Sequence, residues 1–124
     1  MSFRVLVYGG RDFIPDPDSW TWLVEHLQDC EYDSTCDVVV VSGRAAGADC
    51  MGECAAASLD IPVETFPANW KEEGKAAGHL RNQRMLDSGI DIALQLPGGR
   101  GTEDMRRRLD KAGVVVYEYK GGKE

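Results

Sequence analysis

The 124-residue sequence has no apolar run near the ~20 residues that a membrane-spanning helix requires. Its first residues also lack the charged start and the cleavage site of a signal peptide, so we expect a cytoplasmic protein. Basic residues are fewer than acidic ones, 14 against 21, and the formal net charge is −7. Because affinity for nucleic acid comes mostly from neutralised phosphates, this balance argues against a nucleic-acid-binding protein.

The four cysteines, Cys30, Cys36, Cys50 and Cys54, do not have the CxxC spacing of a zinc site. The histidine and cysteine spacing that zinc requires is also missing, so we predict no metal site and no cofactor. Hydrophobic residues make up 43% of the chain, which indicates a folded core and argues against a disulfide framework. We expect the cysteines to be small buried thiols.

Short β-branched segments alternate with segments of helical length. Five strands are predicted, at residues 3–8, 37–42, 61–66, 91–96 and 114–119. Four helices are predicted, at residues 18–30, 47–59, 74–89 and 102–113. Apolar strands joined by helical crossovers indicate an α/β three-layer sandwich with a five-stranded, mostly parallel sheet. We predict one domain over residues 1–120 and a tail over 121–124.

The ends of three predicted helices carry capping or stop signals. Asp18 or Ser19 is expected to cap the first helix, and Thr102 is expected to cap the last. Gly89 and Gly113 are stop signals for the helices that precede them.

Glycine, arginine and carboxylate residues collect where the predicted strands end. The segments are GGRD (9–12), SGRAAGAD (42–49), PANW (67–70) and PGGRGT (97–102). Ligands bind to open α/β sheets beyond the carboxyl ends of the strands, near the switch in strand order. The sequence therefore predicts one ligand site at this edge.

The segment PGGRGTEDM (97–105) is the strongest of these signals. Gly98, Gly99 and Gly101 come before a predicted helix start, where backbone amides and the helix dipole suit a phosphate. Arg100 can bind the same phosphate through two parallel hydrogen bonds. The segment matches neither a Walker loop nor GxGxxG, and the alternative is a tight turn capped by Thr102.

Two further segments supply candidate ligand contacts. Gly43 and Gly47 allow close approach of a ligand to the backbone, and Asp49 either caps the backbone or binds a ribose hydroxyl. Lys75, His79 and Asn82 share one face of the third predicted helix. His79 is a candidate for acid/base or binding work, and the alternative is a solvated helix face.

Six segments in order, VYGGRDF, SGRAAGAD, FPANW, GKAAG, RNQRM and PGGRGTEDM, resemble the SLOG superfamily of Rossmann-like proteins. That superfamily includes the LOG cytokinin-activating phosphoribohydrolases and the DprA proteins, and the nearer resemblance is to its small YspA-type branch. The resemblance implies a Rossmann-like sheet that binds a nucleotide or nucleotide-derived phosphate at its strand ends. It also implies a homodimer.

LOG enzymes carry a catalytic arginine in RKxxM and a catalytic glutamate in PGGxGTxxE. Arg81 matches the arginine, Asn82 replaces the lysine, and Met105 stands at the glutamate position. Glu103 and Asp104 are nearby, but one helical step rotates a side chain by about 100°. We therefore predict a nucleotide-binding sensor or sequestering protein. The alternative is a phosphoribohydrolase-type enzyme with Arg81 and Asp104 as catalytic residues.

The predicted ligand-binding residues come from the ends of the first, second and fourth strands and from the helix that follows the third. They are Gly9, Gly10, Arg11, Asp12, Gly43, Gly47, Asp49, Lys75, Asn82, Gly98, Gly99, Arg100, Gly101 and Thr102.

Overall fold

The computed structural model describes residues 2–121. The strands are β1 (Ser2–Tyr8), β2 (Asp37–Ser42), β3 (Val63–Thr65), β4 (Ile92–Gln95) and β5 (Val115–Glu118). The helices are α1 (Pro17–Asp33), α2 (Ala48–Ser58), α3 (Trp70–Glu73), α4 (Ala77–Asp87) and α5 (Arg100–Ala112), with a 3₁₀ turn over Gly74–Ala76. Apart from Gly121, the predicted tail lies outside the described residues.

All strand pairs in the sheet are parallel, and the strand order is β3-β2-β1-β4-β5. The predicted α/β class is confirmed, and the sheet is wholly rather than mostly parallel. Strands β1, β2 and β3 follow one another towards one edge of the sheet. The chain then crosses back, and β4 pairs with β1 on the side opposite to β2. The switch in strand order therefore lies between the carboxyl ends of β1 and β4, where open α/β sheets bind ligands.

Apolar side chains of β1 alternate between two cores. Val5 and Val7 pack into the core under α1 and α2, and Leu6 and Tyr8 pack into the core under α4 and α5. Helix α2 approaches the sheet closely, because a Cβ on its Gly52 would lie 2.7 Å from the Val7 side chain. Helices thus cover both faces, as near-continuous apolar strands require.

The amino end of α1 lies earlier than predicted. Asp16, not Asp18 or Ser19, is the N-cap, and its Oδ1 accepts a hydrogen bond from the Ser19 amide at 2.8 Å. The Ser19 hydroxyl accepts one from the Asp16 amide in return, at 3.0 Å. Pro17 explains the earlier start, because its fixed φ suits the first helical position. Gly89 and Gly113 follow the ends of α4 and α5 with φ of +96° and +79°, as predicted.

The helix predicted over 74–89 is present as α4 but begins three residues later, after a short helix and a 3₁₀ turn that were not predicted. Gly74 has a φ of +61°, which a continuous helix does not allow, and it separates α3 from the turn that leads into α4. Asn69 caps α3 by accepting a hydrogen bond from the Glu72 amide at 3.3 Å. These features place Trp70 on a short helix of its own.

The prediction of buried cysteines is wrong for three of the four. Cys36, Cys50 and Cys54 are exposed, and Cys30 is partly buried. Cys50 and Cys54 lie on the face of α2 that is turned away from the buried residues Met51 and Ala55. Within residues 2–121, no helix is long and apolar enough to cross a membrane.

Candidate functional site

A cleft of about 590 Å³ opens where β1 and β4 end. Its volume is within the range of small-molecule sites, roughly 300–1,000 Å³. The predicted site residues line this cleft, with three exceptions: Gly43, Gly47 and Asp104. The switch in strand order therefore brings the separate sequence segments to one place.

The loops after β1 and β4 pack against each other through glycine. The Gly10 amide donates a hydrogen bond to the Pro97 carbonyl at 2.8 Å. A Cβ at Gly98 would lie 2.6 Å from the Gly10 nitrogen, whereas at Gly99 and Gly101 no atom of the described residues outside the adjoining chain would lie within 4 Å of such a Cβ. Because Gly10 and Gly98 have no Cβ, the backbones of the two loops can pack against each other. The space beside Gly99 and Gly101 is open to a ligand.

Helix α5 begins inside the glycine-rich loop. Gly99 is the N-cap and its carbonyl accepts a hydrogen bond from the Glu103 amide at 3.0 Å, so the prediction of Thr102 as N-cap is wrong. Thr102 lies within the first turn and is buried beside Gly98. The first helical residue is Arg100, which is exposed at the cleft and forms no ion pair among residues 2–121.

The loop after β2 supports the cleft from behind. Gly47 has a φ of +73°, and its Cα lies against the carbonyls of Gly10 and Arg11. The Ala48 amide donates a hydrogen bond to the Gly10 carbonyl at 3.1 Å. The Gly43 carbonyl accepts a hydrogen bond from the Arg81 guanidinium. Both glycines act on the cleft through residues that line it.

Asp49 is a buried carboxylate that lines the cleft. Only 5% of the residue is exposed, and its Oδ2 accepts a hydrogen bond from the Ala45 amide at 3.2 Å. Burial raises the pKa of Asp49 to about 6, although the Ala45 hydrogen bond and the positive charge of Arg81 act to lower it. The Asp49 carboxyl group is therefore a weaker acid than an ordinary aspartate.

Asp104 lies behind the cleft and anchors residues that line it. Its Oδ2 accepts hydrogen bonds from Arg108 Nε at 2.8 Å and from Asn82 Nδ2 at 3.1 Å, and its Oδ1 lies 3.2 Å from His79 Nδ1. Burial acts to raise the pKa of Asp104, but these hydrogen bonds outweigh it and lower the pKa to about 2. The Asn82 side chain in turn accepts a hydrogen bond from Arg81 Nε at 3.0 Å.

Several lining residues were not predicted from the sequence. Tyr8, Met85 and Met105 are buried and form an apolar part of the lining. Trp70 is half exposed, and the Arg11 guanidinium lies 5.9 Å from the centroid of its ring. The only signal for these residues was that each lies within one of the six segments that resemble the SLOG superfamily.

Positive charge exceeds negative charge in the cleft, although the chain carries a net charge of −7. The cationic side chains that line it are Arg11, Lys75, Arg81 and Arg100, and the carboxylates are Asp12 and Asp49. No ion pair joins Arg11 to Asp12 in the part of the chain that the structure describes. An anionic ligand thus finds a favourable local field.

Comparison with known proteins gives two matches. A model of the YspA, cpYpsA-related SLOG family matches residues 3–72. The gene 61 protein of Mycobacterium phage D29 is 34% identical over 123 residues, covering 94% of this chain and 95% of that protein. No solved structure matches the chain. The second match extends past Arg81 and the Gly98–Thr102 loop, which lie outside the first.

Proposed function

The chain belongs to the YspA, cpYpsA-related SLOG family, and from that premise we propose that it binds a nucleotide or nucleotide-derived phosphate ligand, as a sensor or sequestering protein. The observation that carries the proposal is the amino end of α5. There, backbone amides of the glycine-rich loop and the guanidinium of Arg100 meet at the switch in strand order. Helix amino ends and arginine are the groups that proteins use to bind phosphate.

The rest of the cleft is suited to the rest of a nucleotide. Trp70 and the apolar lining of Tyr8, Met85 and Met105 offer flat and apolar contacts for a base. Asp12 and Asp49 offer carboxylate oxygens for sugar hydroxyls. Phosphate, sugar and base therefore each have a matching type of group within one cavity.

A hydrolase of N-glycosidic bonds is the second candidate, and the buried carboxyl group of Asp49, which lines the cleft, favours it. A carboxylate with a pKa of about 6 is better matched to proton transfer near neutral pH than an ordinary aspartate. Chemistry of the LOG type is disfavoured, because the catalytic glutamate is replaced by the buried Met105. Incubation with nucleoside monophosphates and ADP-ribose, followed by chromatography, distinguishes release of a base from recovery of intact ligand.

Arg100→Gln is expected to weaken binding of AMP by about 10- to 100-fold. The reason is the loss of a charge-assisted hydrogen bond to phosphate, which contributes roughly 1.5–3 kcal/mol. Titration calorimetry at low ionic strength measures the effect. Lys111→Gln is the matched control, because it removes the same charge from the opposite end of α5, outside the cleft.

Equal affinities of AMP for the wild type and Arg100→Gln would contradict the assignment of the phosphate to this loop. If AMP, ADP-ribose, ribose 5-phosphate and inorganic phosphate all fail to bind, the proposed function is wrong. A gel shift with DNA at low salt would instead favour nucleic acid as the ligand. The homodimer and the cytoplasmic location stay predictions.

A further inference from the structure

A hydrogen-bonded pair beside the cleft, His79 and Asp104, has no part in the phosphate contacts described above. We propose that His79, as an imidazolium, donates a hydrogen bond from Nε2 to an anionic oxygen of the bound ligand. Asp104 is the positioning residue, which fixes the ring through Nδ1. The inference rests on the proposed function, because it names a second contact to the same phosphate ligand.

The carboxylate of Asp104 is held in one orientation. Its side chain is 8% exposed, and the donors on it are Arg108 Nε, Asn82 Nδ2 and Arg107 Nη2, the last at 3.4 Å. Groups on both α4 and α5 thus restrain the two carboxylate oxygens. A histidine that faces such a carboxylate takes its ring orientation from it.

The contact with Asp104 determines which nitrogen of His79 is available to a ligand. An ionised carboxylate only accepts hydrogen bonds, so Nδ1, 3.2 Å from Oδ1, carries a proton. Nε2 has no hydrogen-bond partner among the described residues, and the side chain is 55% exposed where it lines the cleft. The free nitrogen is therefore the one that a ligand can reach.

The charges around the ring decide how it responds to an anion. Asp104, Arg107 and Arg108 come from α5, and Lys75 lines the same cleft from the turn before α4. The two arginines are paired with Asp104, and among residues 2–121 its carboxylate is the only ion-pair partner of the imidazole. A ligand anion at Nε2 would place a hydrogen-bond acceptor on both sides of the ring, which suits a proton on each ring nitrogen.

The chain contains only two histidines, which makes the proposal easy to test by NMR. His26 lies on α1 outside the cleft, where its Nδ1 is 2.8 Å from the Trp22 carbonyl and its ring packs on Trp22 at 4.4 Å. Long-range ¹H–¹⁵N spectra therefore contain one reporter ring and one internal control. His79→Gln assigns the two sets of signals.

We expect Nδ1 of His79 to be protonated in the free protein at pH 7.5. AMP should move the Nε2 signal of His79 towards its protonated position and leave His26 unchanged, whereas adenosine, which lacks phosphate, should not. His79→Gln should weaken AMP binding by about tenfold in calorimetry, and the same substitution at His26 should not. Asp104→Asn should abolish the preference of His79 for the Nδ1-protonated form.

The outcomes that overturn the inference differ from those that overturn the proposed function. If calorimetry detects AMP binding while the His79 signals stay in place, the contact is wrong and the phosphate-binding function stands. If the free protein has Nε2 protonated and Nδ1 bare, the positioning role of Asp104 is wrong whether or not any ligand binds. If AMP, ADP-ribose, ribose 5-phosphate and inorganic phosphate all fail to bind, both the proposed contact of His79 with the ligand and the proposed function are wrong.

Discussion

Gly98→Ala is expected to abolish binding of phosphate ligands and to lower the free energy of unfolding by about 3 kcal/mol. The added Cβ would lie 2.6 Å from the Gly10 nitrogen and 2.9 Å from the Gly10 Cα, and it would also collide with the Thr102 hydroxyl. Overpacking of this kind typically costs about 1–3 kcal/mol. We expect the upper end because two backbone loops, which cannot rotate away, must separate.

Gly99→Ala is the matched control in the same loop. Apart from the adjoining chain, no atom of the described residues lies within 4 Å of a Cβ there, so only the poorer capping by alanine remains and the free energy of unfolding should fall by no more than about 1 kcal/mol. Urea unfolding of both variants measures the difference, and calorimetry with AMP measures the binding. Because the space beside Gly99 is where the ligand is proposed to lie, Gly99→Ala should reduce affinity with a much smaller loss of stability than Gly98→Ala. Equal stability of the two variants would contradict the close packing of the loops.

The strands and the edge that carries the site could be predicted because their signals are local. β-Branched runs mark β1, β2 and β5, and glycine clusters mark the points where β1, β2 and β4 end. The strand order could not be obtained in the same way. It depends on which strands pair, and β1 pairs with β4 at Val5–Ile92, across most of the chain.

The errors at helix ends arise where two local signals compete. Thr102 is a favoured N-cap residue, but the hydrogen bond from Glu103 to Gly99 starts α5 earlier and places Thr102 inside the helix. At α1, Pro17 favours the first helical position. The residue before it, Asp16, is therefore the N-cap instead of Asp18 or Ser19.

The placement of Asp104 and Met105 could not be predicted, because it depends on contacts between distant segments. Asp104 accepts a hydrogen bond from Asn82, 22 residues away, and does not line the cleft. Met105 is 1% exposed, packs in the core under α4 and α5, and also lines the cleft. A sequence pattern identifies such a residue as part of the core. It does not reveal that one side of the buried residue faces a cavity.

Two buried carboxylates of the site should affect stability in opposite directions. Asp49→Asn is expected to raise the free energy of unfolding at pH 7 by up to about 3 kcal/mol, and Asp104→Asn to lower it by about 2 kcal/mol. These values follow from pKa shifts from 3.8 to about 6 and to about 2, at roughly 1.4 kcal/mol per unit. The amide preserves the shape of each side chain.

The pH dependence of the two effects follows from the direction of each shift. The folded state of Asp49 has the higher pKa, so the cost of its charge is absent below pH 3.8 and is complete above about pH 6. The folded state of Asp104 has the lower pKa, so its contribution is complete above pH 3.8 and is lost only as the pH falls through about 2. Urea unfolding at pH 7 and pH 4 therefore separates the two residues.

At pH 4 most of the gain from Asp49→Asn should have disappeared, whereas most of the loss from Asp104→Asn should remain. A gain that is the same at both pH values would mean that ionisation of Asp49 is not what costs stability. If Asp49→Asn is more stable than the wild type at pH 7 and also binds AMP more weakly, then the protein retains a costly buried charge at the position where its ligand requires one. That combination is expected of a ligand-binding residue. If the role of Asp49 were purely structural, ionisation of the buried carboxyl group would not benefit the folded protein.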